Sequence, residues 1–238
     1  MSFHRAFSPS RLVRRCGVLL VAAVALTATA VAYHGVFEPS GSAFMRHAQA
    51  QLRARHKPDT IHHVWVDIER IAPAMKLAVI AAEDQRFFEH YGIDWEAVQD
   101  AMERNKRSKR LRGASTITQQ VAKNLYLWPA RSWLRKAVEA WFTVLIETFW
   151  SKQRILEVYL NVAQFDDDVF GVEAAARRFF HKPAARLNSY EAALLAAALP
   201  SPTRLRIEAP SAYLRHRQLI ILAHMRRLGP EALRPLDE

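Results

Sequence analysis

A single cysteine, Cys16, is the only thiol in this 238-residue chain, and it falls inside an apolar run near the N-terminus. The remainder therefore has no internal disulfide, no thiolate metal site and no cysteine nucleophile. Formal charge is missing from residues 16–33, a length near the lower limit for a bilayer-spanning helix. Acids are missing from the first fifteen residues, which carry Arg5, Arg11, Arg14 and Arg15. That asymmetry predicts an uncleaved anchor with a cytoplasmic N-terminus and the rest of the chain outside. A cleaved signal peptide is the competing reading, with small residues at 28–32 as its cleavage site, but the apolar run is long for one. Strand alternation sufficient for a large sheet is lacking, as is any internal repeat. No histidine and acid cluster has metal-ligand spacing, so no metal site is expected.

What is present is a strong excess of positive charge, 34 Lys and Arg against 23 Asp and Glu, for a net charge of +11. Such a surface favours anionic partners. An outward-facing anchor argues against nucleic acid, whereas anionic lipid headgroups and a pyrophosphate substrate suit both facts. Arg104, Lys106, Arg107, Lys109, Arg110 and Arg112 form the densest basic run. It reads either as a solvated loop or as a segment resting on anionic lipid, where each basic group is worth about 1 kcal/mol.

The organisation expected is a tail and anchor over 1–35, a partly helical juxtamembrane linker over 36–60, and one domain over 61–238. That domain is long enough for a real core. Residues 61–68 suit a short extended segment. Helix signals dominate thereafter. Pro73 opens a helix toward Glu83, and Asp94 caps the next. Ser115 or Thr116 caps a helix carrying Gln119, Gln120 and Lys123. Ser132 and Ser151 cap two more, Ser189 begins one that Pro200 stops, and 213–228 form the last. The fold class expected is all-α.

Two acids attract chemistry. Glu83 ends an apolar run over 77–82, where partial desolvation would raise its pKa and make it a usable proton acceptor. The alternative is a helix-end carboxylate paired with Arg86 or a nearby lysine. Asp84 points elsewhere and suits a structural bond to a backbone amide or an arginine, with His90 holding that turn or Asp84 itself. Thr116, Gln119, Gln120 and Lys123 share a helical face bordered by Asn124, and the helix start at Ser115 and Thr116 offers free amides to an anion. Glu139 stands among apolar residues and is either paired with Arg135 or functional, with Lys136 beside it. Glu147 suits packing or an ion pair. Glu157 and Asn161, four apart, suit tying neighbouring loops together. Gly171 suits a tight turn.

Five stretches in order closely resemble the peptidoglycan glycosyltransferase family. They are Glu83, Asp84, Phe87, His90 and Gly92; the run 113–124 with Ser115, Thr116, Gln119, Gln120, Lys123 and Asn124; Arg135, Lys136 and Glu139; the run 154–161 with Glu157 and Asn161, followed by 171–182; and 191–202. The resemblance covers about 61–227. It implies a lysozyme-like, two-lobed helical fold at the outer face of the bacterial inner membrane. It further implies polymerisation of lipid II into β-1,4 glycan, with inversion and loss of undecaprenyl pyrophosphate. By this resemblance Glu83 is the general base and Glu139 supports leaving-group departure. Lys123, Arg131 and Lys136 match pyrophosphate contacts, and Ser115, Gln119 and Gln120 match groove residues. No dedicated cofactor is implied, although a divalent cation such as Mg or Mn assists some members. Partners implied are lipid II, the growing lipid-linked glycan, membrane lipids and other wall-synthesis proteins. The chain stops where two-function members continue into a transpeptidase domain, so a single-function member is expected. Departures are Ala114, where glycine is common, and Asp166, Asp167 and Asp168, where glycine usually follows the aromatic. A glycan-cleaving lytic enzyme or lysozyme, and a non-catalytic membrane-anchored scaffold, are the competing functions.

Overall fold

The computed structural model describes residues 9–107, 115–130 and 132–236. Its chain runs α1 (Pro9–Val36), α2 (Ala43–Ala54), β1 (His62–His63), α3 (Pro73–Glu83), α4 (Trp95–Arg107), α5 (Ile117–Tyr126), α6 (Trp133–Phe149) and α7 (Lys152–Val162). It continues through β2 (Val169–Phe170), α8 (Val172–Phe180), α9 (Ser189–Ala198) and α10 (Ala212–Leu228). The two short strands pair in parallel, His62 with Val169 and His63 with Phe170. Among the described residues they make the only sheet, so the all-α expectation holds.

Helix starts follow the chain's own capping residues. Pro73 occupies the first turn of α3, where its missing N–H costs nothing. Asp94 accepts from the Ala97 amide at 2.9 Å and so caps α4. Thr116, not Ser115, caps α5 in a reciprocal box with Gln119. Ser132 and Ser151 cap α6 and α7. α9 begins at Ser189 as expected, with Asn188 as its cap, again in a box with Glu191.

The segment expected as a linker contains all of α2. Ser42, fully buried, caps it through the Met45 amide at 3.1 Å. Its Met45 and Ala48 pack on Phe170. The apolar spacing of Phe44, Met45, Ala48 and Leu52 makes one face that only a neighbouring surface can cover. Asp167 lies 3.6 Å from Arg55 and 3.7 Å from Lys57, just past the end of α2, and Asp168 lies 3.7 Å from His62. Asp167 and Asp168 thus face basic residues of the same corner, while Asp166 accepts from the Asp167 amide at 2.8 Å. These pairs are solvent-exposed and worth well under about 1 kcal/mol each.

Two groups of helices share one continuous core. In one, α9 packs between α3 and α10. Its Ala192, Ala193, Leu195, Ala196, Ala197 and Ala198 are fully buried, and their small side chains allow close helix approach. In the other, α5 packs on α6 and α7, and α1 packs along α6. Asn161 on α7, fully buried, joins that group to the extended segment before α3. It accepts from the Val66 amide at 2.9 Å and donates to the Val66 carbonyl at 2.8 Å and the Glu157 carbonyl at 2.9 Å. Gly171 has φ +81°, and a Cβ there would stand 2.8 Å from the Asn161 carbonyl oxygen, so the turn into α8 needs glycine.

α1 contains a 24-residue stretch, Val13–Val36, long and apolar enough to cross a membrane. It is docked as well as tethered. Trp150 Nε1 donates to the Val31 carbonyl at 2.7 Å, and Trp141 Nε1 to Thr27 Oγ1 at 3.3 Å. Arg154 donates to the carbonyls of His34 and Phe37, closing the helix end with a cation.

Candidate active site

Glu83 is the last residue of α3, at the point where the α3–α9–α10 group meets α5. It borders a cleft of about 410 Å3 whose other walls include Arg86, Asp94, Asp100, Arg104 and Ser115. The carboxylate is half-buried. Its Oε2 accepts from Gln120 Nε2 at 2.8 Å, and Gln120 Oε1 in turn faces the Tyr159 hydroxyl at 3.4 Å. Loss of solvent pushes the Glu83 pKa up. The Gln120 bond and the charges of Arg217 and Lys123 pull it partly back, while neighbouring Asp84 adds to the rise. The alternative pairing with Arg86 is not among the ion pairs of the described residues. Arg86 instead faces Glu89, Glu96 and Asp94.

The adjacent carboxylate does different work. Asp84 Oδ1 contacts His90 Nε2 at 2.9 Å, and Asp84 Oδ2 accepts the Ile117 amide at 3.0 Å. Both residues are buried. The acid therefore ties the end of α3 to the first amide of α5 and to the turn that follows, matching the structural role read from its position. Phe87 fills the core beneath, with Lys152 Nζ 4.8 Å from its ring centroid. Gly92, at φ +78°, offers its carbonyl to Thr116 Oγ1 at 2.6 Å, and a Cβ there would lie 2.6 Å from Thr143 Cγ2. Asp84, His90 and Asp94 bring one possible ligand atom each within 4.8 Å of one another. Hydrogen bonds already occupy both Asp84 oxygens, Asp94 caps α4, and Arg86 lies 3.8 Å from Asp94. The cluster is a brace for the helix junction.

α5 divides its polar residues between two jobs. Thr116 and Gln119 face inward: their side chains complete the cap, both are buried, and Thr116 also holds Gly92. Thr116 Oγ1 and Gln119 Oε1 are thus engaged within the protein. Ser115 is exposed at the cleft, and Gln120 and Lys123 are half-buried on the Glu83 side. Asn124 is also half-buried. Burial drives the Lys123 pKa down, against the raising influence of Glu139 and Glu83, with Arg135 and Lys136 lowering it further. Lys123 therefore sits within electrostatic reach of both acids. Its ammonium lies 5.5 Å from the Phe44 ring centroid of α2.

Glu139 on α6 is buried and doubly paired, to Arg135 Nη1 and Lys136 Nζ at 2.5 Å each. Arg135 is largely covered and Lys136 half-exposed, beside a shallow depression lined by Ser132 and Trp133. The acid holds two cations next to Lys123. Glu147 pairs with Lys152 at 2.9 Å and accepts from Thr118. Glu157 pairs with Arg154 at 3.1 Å, and burial raises its pKa. Glu157 and Asn161 support the scaffold and contact neither acid of the cleft. Arg131 lies outside the described residues, as do Lys109, Arg110 and Arg112 of the basic run. Arg104 is exposed and pairs with Asp100 at 2.8 Å.

Two residues of the site were missed by sequence reasoning. Tyr159 is an interior residue of an amphipathic helix, and its spacing signals only burial. Arg217 on α10 donates to the Ala197 carbonyl at 3.1 Å and bears electrostatically on Glu83. No local pattern links residues so far apart in the chain.

The arrangement is a desolvated carboxylate that can take a proton, next to a bank of cations that can hold an anion. Comparison with known proteins agrees. A family model described as Transglycosylase matches residues 49–226. The biosynthetic peptidoglycan transglycosylase of Salmonella agona (strain SL483) is 51% identical over 233 residues, which is 96% of each chain. That of Pasteurella multocida (strain Pm70) is 57% identical over 178 residues, 75% of this chain and 72% of the relative. That of Klebsiella oxytoca is 60% identical over 171 residues, 71% of each.

Proposed function

Because the chain belongs to the transglycosylase family and is a peptidoglycan glycosyltransferase, we propose that it polymerises lipid II by inverting transfer with Glu83 as the general base. The acceptor hydroxyl gives its proton to Glu83 Oε1, the oxygen not engaged by Gln120. The freed oxygen attacks the anomeric carbon of the donor sugar from the face opposite the diphosphate. The glycosidic bond forms as the carbon–oxygen bond to the diphosphate breaks, and the electron pair leaves with the lipid diphosphate. Lys123, Arg135 and Lys136 neutralise that charge, and Glu139 keeps the last two in place. Ser115 lines the acceptor side. A divalent cation would add positive charge at the leaving diphosphate, beside Lys123, Arg135 and Lys136.

The observations that carry this reading are the Arg135–Glu139–Lys136 pairs at 2.5 Å each and the electrostatic reach of Lys123 to both Glu83 and Glu139. A glycan-cleaving enzyme also needs a carboxyl of raised pKa, but as a proton donor, and it has no diphosphate to stabilise. A bank of three cations beside the acid favours synthesis.

The same reading sets the protein in the cytoplasmic membrane with α1 crossing it and the catalytic domain outside. Exposed Arg14 and Arg15 then lie at the cytoplasmic end. α6 runs beside the outer half of α1, and Trp133, Ala137, Trp141, Val144 and Thr148 form an exposed stripe along it. The Thr148 hydroxyl is spent on the Val144 carbonyl at 2.7 Å, which makes the stripe compatible with lipid. In this reading the active site opens at the membrane surface, where a lipid-linked substrate must react.

The test is polymerisation of labelled lipid II in liposomes by wild type and Glu83→Gln, with products resolved by size. Glycan from the wild type is expected, and a loss of roughly a thousandfold or more in the variant. The variant should be at least as heat-stable as wild type, because it removes a charge that burial disfavours. Polymer of normal length and rate from Glu83→Gln would sink the base assignment, and shortened wall fragments in place of polymer would favour the lytic reading.

A further inference from the structure

Tyr159, on α7, is only 1% exposed, so its hydroxyl is cut off from solvent and must find its acceptor inside the protein. The acceptor is Gln120 Oε1, at 3.4 Å, long for a hydroxyl bond. The other end of that amide, Nε2, donates to Glu83 Oε2 at 2.8 Å. The amide orientation follows from its two neighbours. As placed, the phenol has an acceptor and the carboxylate has a donor. Reversed, the amide oxygen would face a carboxylate oxygen and the phenol proton would have nowhere to go.

We propose that Tyr159 is a positioning residue for the base: it locks the Gln120 amide so that only a donor faces Glu83. This rests on Glu83 being the base, as argued above. The consequence concerns protonation. A protonated Glu83 with its proton toward Gln120 is a donor and needs an amide oxygen; with its proton on Oε1 it keeps the Nε2 bond but accepts it more weakly than a carboxylate does. With Tyr159 present, turning the amide to supply that oxygen strands a buried phenol proton. The ionised, reactive form of Glu83 is favoured because the amide turn that would suit its protonated form is blocked. Burial and the nearby Glu83 and Asp84 charges raise the Tyr159 pKa well above its usual value, so the phenol remains a donor through the working range. Among the hydrogen bonds of the described residues, Glu83 Oε1 takes none, which leaves it for the acceptor hydroxyl.

The experiment is the pH profile of lipid II polymerisation by the full chain in detergent, for wild type, Tyr159→Phe, Gln120→Leu and the double variant. Tyr159→Phe keeps the ring and removes only the hydroxyl. Its acid limb should move upward by about half to one pH unit. The plateau at higher pH should stay within about threefold of wild type, because an ionised Glu83 orients the amide by its own charge. Gln120→Leu should move the limb in the same direction. Adding Tyr159→Phe to Gln120→Leu should move it no further, since the amide through which the phenol acts is gone. A Tyr159→Phe profile that superimposes on wild type, or that falls by one factor at every pH, overturns the proposal. So does an additive shift in the double variant. Full activity of Glu83→Gln removes the premise and takes the proposal with it, a failure recognisable because it appears without touching Tyr159.

Discussion

Asp84→Asn should destabilise the fold although it changes the side chain by one atom. The carboxylate now serves two partners at once, the Ile117 amide at 3.0 Å and His90 Nε2 at 2.9 Å. An asparagine must turn its oxygen to the Ile117 N–H, because two donors cannot face each other. Its NH2 then faces His90 Nε2, which must accept, so the imidazole proton has to move to Nδ1. In the native protein His90 Nδ1 is buried and has no hydrogen-bond partner. A buried N–H without a partner is tolerated less than an empty acceptor, and the exchange costs up to about 1–3 kcal/mol. Loss of a negative charge at the start of α5 adds roughly 0.3–1 kcal/mol. A total of about 2–3 kcal/mol corresponds to a fall in Tm of roughly 5–10 °C for a chain of this size. Thermal unfolding of the full chain in detergent, followed by circular dichroism, measures it. A fall below about 2 °C would refute the tautomer argument, because only a site with a spare acceptor for His90 Nδ1 could absorb the change so cheaply.

Glu139→Gln should lower both stability and rate, since Arg135 and Lys136 then face Lys123 without their shared counter-ion. Breaking a largely buried pair costs up to about 3–5 kcal/mol, and the partial exposure of Lys136 brings the expected loss toward the lower end. The rate should fall about ten- to a hundredfold, and a variant with wild-type rate and unchanged Tm would show that the acid holds nothing that matters. A nitroxide at position 144 on the exposed stripe of α6 should be relaxed by lipid-soluble oxygen and shielded from a water-soluble metal chelate. Equal access to both would place that face in water.

Much of this protein was legible in its sequence because the signals are local. Pro73, Asp94, Ser132 and Ser151 start helices by satisfying amides within one turn, whatever surrounds them. The uncharged run at 16–33 reports its own length and polarity. Glu83, at the end of an apolar segment, announced its desolvation, and the spacing of Arg135, Lys136 and Glu139 on one helix dictated that they could pair. The segment before 60 is partly helical as expected, but its docking was not legible, since α2 owes its place to Phe170 and α5, which lie far along the chain. On α5, composition could not separate Thr116 and Gln119, spent on the cap, from Gln120 and Lys123, which face the acids. Helical spacing gives a face but not what covers it. Only packing decided that Tyr159 on α7 meets Gln120, that Arg217 on α10 bears on Glu83, and that Lys123 feels two acids carried by different helices. The residue types and local helix geometry were fixed by the chain itself. The raised pKa of Glu83 and the cations around it depend on low solvent access and distances of a few ångströms, which exist once α3, α5, α6 and α10 have packed.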